Sequence, residues 1–211
     1  MKLKYVGWPF FILFAVSIGI YPLSYWIIDM SSGLLASKPK DLLQNVVWNT
    51  LFFTHISFGG IAMLSGWSQF SNRLRSKYLT LHRWLGKVYV LSVLLSGLAG
   101  LYIAWFATGG LIAVTGFSGL AIAWLFCTLH AYRSIRQFEI QKHQQWMIRS
   151  YALTFAAVTL RLWIPLFQIF TPLDFISFYK IIAWLCWIPN LIIAEWMVRK
   201  VTPVVASINR G

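Results

Sequence analysis

Acidic residues are scarce in this chain: five occur in 211 residues, Asp29, Asp41, Glu139, Asp174 and Glu195, against eighteen Lys and Arg. Charged residues of all kinds make up 11%, less than half the share found in an ordinary soluble domain, which excludes that class. Cysteine is nearly absent. Cys127 and Cys186 both fall inside apolar runs, where they read as small buried hydrophobes and not as a disulfide framework. There is no C-x-x-C-H, so covalent haem attachment of the c type is excluded. Low-complexity tracts and a soluble domain are also missing.

What fills the chain is apolar and aromatic: 59% hydrophobic residues, with twelve Trp and nine Tyr. Aromatic belts at two interfaces and runs of about twenty apolar residues define a polytopic membrane protein. Six segments follow, roughly Trp8 to Ile28, Val46 to Phe70, Trp84 to Phe106, Leu111 to Tyr132, Gln145 to Phe170 and Phe178 to Val198. The start, MKLK, imitates a signal peptide, but the run behind it has the length of a full span and no A-x-A site follows, so it reads as a retained first helix. The fold expected is all-α: one six-helix bundle over residues 1–211, with inner helices at about 46–70, 84–106, 111–132 and 145–170.

The net charge of +13 has a topological meaning. Fourteen of the eighteen basic residues fall at the two termini and in or beside the second and fourth loops; only Lys38, Lys40 and Lys180 lie on the other side, with Arg161 inside a span. The positive-inside rule therefore puts both termini in the cytoplasm, with the basic residues meeting anionic lipid and not nucleic acid. The first outer loop, Asp29 to Asn45, is the longest connection; the very short one near Thr108 to Gly110 makes the third and fourth helices an antiparallel hairpin.

Two spans carry polar groups that lipid does not tolerate. In the fifth, His143 and Arg161 are eighteen residues apart, five full turns or roughly 27 Å of helix, with Ser150 and Thr154 near the same line. The second span repeats this in reverse: His55 and Arg73 are also eighteen apart, on a line with Gly59, Ala62, Gly66 and Gln69. Helical rise then puts His55 and Arg161 together towards the outer side, and Arg73 and His143 at the inner edge. The third helix aligns His82, Gly86, Tyr89, Ser96 and Gly100, and the fourth aligns Gly116, Gly119, Ala123, Phe126 and His130. Ser92, Ser96 and Gly100 also form a small-residue ladder suited to helix packing.

These positions support three readings. In the first, the chain is a redox protein with haem b held between His82 and His143, whose depths agree, and with Arg73, Arg83 and Arg149 on its propionates. A quinone or small anionic ligand then occupies the region of His55 and Arg161, since an intramembrane guanidinium needs a partner or a wet cavity. In the second, His82, His130 and His143 are three zinc ligands of a membrane hydrolase, a scheme short of a carboxylate because Glu139 is the only acid in that loop. The third is a transporter or ligand-binding subunit. Blander roles compete: the three inner histidines suit interfacial anchors, His55 a packing hydrogen bond, Arg161 snorkelling, and Glu195 an i to i+4 pair with Arg199.

His55, the segment GWSQF ending at Phe70, Arg73, LHRWLGKVY from Leu81 to Tyr89, and HQQWMIRSYALTFAAVTLR from His143 to Arg161 together resemble the bacterial multi-pass membrane family designated domain of unknown function 2306, DUF2306. The resemblance covers about half the chain and implies a multi-helix membrane fold, with no activity, substrate or cofactor attached. In architecture alone, His on four inner helices is similar to the ascorbate-reducible di-haem cytochromes b. His82 and His143 suit the pairing of helices three and five in those proteins. His55 and His130, at opposite depths, do not suit the pairing of helices two and four.

Overall fold

The computed structural model describes residues 3–27 and 33–199, and every regular element among them is helical. The α-helices are α1 (Leu3–Ile20), α2 (Lys40–Gln44), α3 (Val46–Gly66), α4 (Asn72–Lys77), α5 (Leu79–Ala104), α6 (Gly110–Arg136), α7 (Ile140–Thr154), α8 (Ala156–Phe170), α9 (Phe175–Leu185) and α10 (Ile188–Arg199). They combine into six candidate spans: Trp8–Tyr25, Val46–Phe70, Leu79–Ala104, Gly110–Arg136, Ile140–Phe170 and Phe175–Arg199. The expected all-α membrane bundle is therefore present. Ile28, the acid Asp29 and the basic residues Lys2, Lys200 and Arg210 lie outside the described residues.

Three spans begin or end further into charged sequence than expected: the third starts at Leu79 and not Trp84, the fourth runs to Arg136, the fifth starts at Ile140. Hydropathy stops at the first charge, but a helix continues through the headgroup layer while Lys and Arg snorkel. The reverse holds at α1, where Pro22 lacks an N–H for the next helical bond and the chain tightens into a 3₁₀ turn over Tyr21–Trp26.

Local chemistry sets the ends. Asn45 caps α3 by accepting from the Trp48 N–H at 3.0 Å, and Asp174 caps α9 through Ser177 N–H at 3.2 Å. These Ser177 hydrogen bonds hold the Asp174 carboxyl below its ordinary range. The hairpin between α5 and α6 turns on Gly109 and Gly110, with φ of 109° and 65°, a region open to glycine at little cost. After α6, Phe138 takes the same left-handed region at φ 61°, and N–H groups of Phe138 and Glu139 close back on Ile135 and Ser134 in a Schellman motif.

We call the end carrying α4 and the α6–α7 connection the basic end, and the opposite one the far end. At the far end the 33–38 turn folds onto the α5 terminus: Ser37 and Thr108 hydroxyls pair at 3.0 Å, and the Lys38 ammonium donates to the Phe106 carbonyl. In the interior, Gly60 lets α3 lie against α1, for a Cβ there would meet the Gly19 carbonyl oxygen at 2.5 Å. The outward faces stay apolar, with Leu91, Leu98, Ile122 and Ile192 exposed, as lipid contact requires.

Two spans are broken. The fifth interrupts at Phe155, where Val158 N–H bonds to the Phe155 carbonyl in a 3₁₀ step; the sixth interrupts at Cys186–Trp187, just ahead of Pro189. Asn190 joins the breaks: its amide donates to the Cys186 and Ala152 carbonyls at 3.1 and 3.3 Å and reaches the Thr159 hydroxyl at 3.1 Å. Thr159 in turn donates to the Cys186 carbonyl. Irregular backbone at this depth is thus satisfied by side chains. Cys127 and Cys186 are both free and buried.

Candidate functional site

Three polar assemblies lie within the bundle. The first clasps α3 to α5. The carbonyl of Ser96 accepts from His55 Nδ1 at 2.9 Å, and the Ser96 hydroxyl donates to the His55 carbonyl at 2.8 Å. Because a carbonyl only accepts, Nδ1 carries the proton, and neutral His55 holds its lone pair on Nε2, which has no hydrogen-bond partner among the described residues. Gly100 makes room for the ring: a Cβ there would lie 2.9 Å from Nδ1.

His55 lines a cavity of about 270 Å³ whose walls are largely apolar. Arg161, on α8, lines the same cavity, so the expected pairing of these two residues is met in space. Arg161 Nη1 donates to the Ala157 carbonyl at 2.9 Å, and its guanidinium stacks over Tyr21 with 4.5 Å to the ring centroid. Its Nε is buried without a partner. No carboxylate pairs with it among the described residues: Asp41 lies exposed on α2, and Asp174 is spent on Ser177. Arg161 also borders a more open recess on its other flank with Tyr21, Ser37 and Gln168. Tyr25 and Tyr179 are within its electrostatic range and line the cavity, as does Lys38.

The second assembly is deep and fully made. Trp124 Nε1–H donates to Thr154 Oγ1 at 2.9 Å; Thr154 donates to the Ser150 carbonyl at 3.0 Å; Thr128 donates to the Trp124 carbonyl at 2.8 Å. Ser150 Oγ is 2.6 Å from Thr128 Oγ1, so with the Thr128 proton already placed, Ser150 is the donor. Tyr89 Oη then shares its proton between Ser150 Oγ at 2.7 Å and Thr154 Oγ1 at 2.8 Å. The expected Ser150 and Thr154 stripe thus faces protein; Trp124 and Thr128 are partners that helical spacing on one helix could not supply. Thr154 also borders the cavity.

The third lies at the basic end. His143 Nδ1–H donates to the Ala131 carbonyl at 2.9 Å, and His82 is within electrostatic range of His143 with its own Nδ1 buried and unpartnered. His130 is engaged elsewhere: it is half-buried, bonds the Phe126 carbonyl at 2.9 Å and packs on the Phe126 and Trp146 rings. Among the described residues no three His, Cys, Asp or Glu come together, so the zinc set of His82, His130 and His143 is not assembled.

Four further expectations change. Glu195 pairs with Arg149 across helices, at 2.5 and 2.9 Å, and not with Arg199, since α7 and α10 pack side by side. Arg149 is therefore committed to a carboxylate and to the Trp146 face, and does not stand free for a propionate. Arg73 is not on the His55 line, because the 3₁₀ turn Trp67–Phe70 and the extended Ser71 break the helix before α4; Arg73 and Arg83 are exposed. Finally, the break at Phe155 interrupts the single line from His143 to Arg161.

A family model described as a predicted membrane protein, DUF2306, matches residues 52–198. The match covers well over half the chain, and the chain belongs to that family. No curated protein and no solved structure matches it.

Proposed function

We propose that this DUF2306 chain is a ligand-binding protein of the bacterial inner membrane, and that its ligand is a small, largely apolar molecule with an oxygen-bearing head held between His55 and Arg161. One observation carries the reading: Arg161, whose guanidinium meets no carboxylate among the described residues, and His55, whose Nε2 is unspent, line one apolar cavity. Arg161 donates to a carbonyl or anionic oxygen; His55 Nε2 accepts from a hydroxyl. A quinone and its quinol meet those demands. The basic end faces the cytoplasm, with both termini there, which reporter fusions at each terminus test.

Binding is read by quenching of tryptophan fluorescence in protein held in lipid nanodiscs, because Trp124 and Trp48 line the cavity. A short-chain benzoquinone and brominated decanoate are the probes. Saturable quenching by either, weakened at least tenfold by Arg161→Gln and by His55→Ala, is the expected result. Quenching by both probes that is linear and identical in wild type and variants would mean partition into lipid alone and would end the proposal.

A second reading, haem b between His82 and His143, is favoured by the Ala131 carbonyl that fixes His143 Nδ1–H and leaves Nε2 for a metal. Of the three arginines expected at its propionates, Arg83 remains exposed and near His82. Expression with adequate haem and an absorption spectrum of folded protein test it; a missing Soret band removes it.

A further inference from the structure

Among the described residues the cavity is lined by two positively charged side chains and no negatively charged one. Arg161 enters it from α8, and Lys38 enters from the far-end turn, where its ammonium donates to the Phe106 carbonyl and holds the mouth beside α5. The other titratable groups along this wall are Tyr25 from the 3₁₀ turn after α1, His55 from α3 and Tyr179 from α9; no described carboxylate lines it. The described acids are occupied elsewhere or distant: Glu139 and Glu195 pair with Lys142 and Arg149 at the basic end, Asp174 caps α9, and Asp41 is exposed on α2. Two cations facing an apolar space without a counter-charge are an unfavourable arrangement that a bound anion relieves.

Building on the proposed site, we infer that its ligand is an amphiphile with a single anionic head, bound by Arg161 and Lys38, whose apolar body lies along the cavity wall. Arg161 also borders the open recess beside Tyr21 and Ser37, so the head can reach its guanidinium from that side. Lys38 adds a dependence on pH: burial pushes its ammonium down to about 8. The ammonium is charged below that value and neutral above it, so anion affinity falls as pH rises through about 8.

The test uses nanodisc-held protein and three probes of matched chain: brominated decanoate, the corresponding brominated decanol, and decyl-benzoquinone. Decanoate is expected to bind at least tenfold more tightly than decanol at pH 7. Lys38→Met weakens decanoate about tenfold and leaves decanol unchanged. Between pH 7 and 9.5 wild-type affinity for decanoate drops several-fold, whereas Lys38→Arg, charged throughout, shows no drop. Equal binding of all three probes, with Arg161→Gln weakening them alike, overturns the anionic ligand and keeps the site. Saturable binding of none overturns both.

Discussion

The hydroxyl network with the Arg149–Glu195 pair and the cavity lined by His55 and Arg161 handle buried polar groups in opposite ways, although His82 Nδ1 and Gln69 Nε2 at the basic end also lack a partner among the described residues. Towards the basic end the ion pair of Arg149 with Glu195 and the hydroxyl network of Tyr89, Thr128, Ser150 and Thr154 have partners for nearly every donor and acceptor. At the far end Arg161, with no carboxylate among the described residues, and His55, with Nε2 unspent, line a cavity. Completed hydrogen bonding rigidifies and specifies packing. Incomplete hydrogen bonding around a cavity leaves binding energy for a ligand. The contrast predicts that polar substitutions in the network and the ion pair register in stability, and those at the cavity in binding.

The largest expected effect comes from Thr154→Val, which keeps the shape and removes the acceptor of the Trp124 N–H and one acceptor of Tyr89. A buried indole N–H left without a partner, with the lost bonds around it, costs about 2–3 kcal/mol. Unfolding of the purified protein in detergent measures it. Next is Arg149→Ala. Removing one member of a buried pair costs about 3–5 kcal/mol. Glu195, however, is 43% exposed and can turn to water. The expected loss is therefore about 1–2 kcal/mol, and Glu195→Gln in the same background should restore part of it.

Arg161→Gln inverts the pattern. It gives up a cation–π contact with Tyr21 worth about 0.5–1 kcal/mol and relieves the desolvation of an unpaired cation, so stability should stay within about 1 kcal/mol of wild type while ligand affinity falls. A collapse in yield would instead assign Arg161 to the fold and erase the division between network and cavity.

The sequence already displays much of this division. Period and charge locate six spans because lipid enforces both, and the pairing of His55 with Arg161 follows from helical rise along spans running in opposite directions. Helical rise fails wherever a span is not one helix. Arg73 leaves the His55 line at Ser71, and Phe155 interrupts the His143 line without any proline to announce it. Partners from other helices were also out of reach: Trp124 and Thr128 lie on α6 at positions that read as ordinary packing, and Lys38 comes from a loop whose fold no period encodes. Asn190 follows Pro189 by one residue, and that proline was the one sequence signal of a break needing a side-chain amide.

The smallest effect tests the proton count of the network. Trp124, Thr128, Ser150 and Thr154 each have their hydrogen committed to a partner, so Tyr89 is the only member whose proton faces two acceptors at once, at 2.7 and 2.8 Å. Tyr89→Phe then removes a single shared proton and leaves no donor unpaired. The two oxygens it vacates still hold other bonds, Ser150 to Thr128 and Thr154 to Trp124 and Ser150. The expected cost is about 0.5 kcal/mol, near the average for one interhelical bond in a membrane. If Tyr89→Phe costs as much as Thr154→Val, the protons run the other way, from Thr128 through Ser150 to Tyr89, and Thr154 is their end point at the cavity. The network would then belong to the site and not only to the scaffold beneath it.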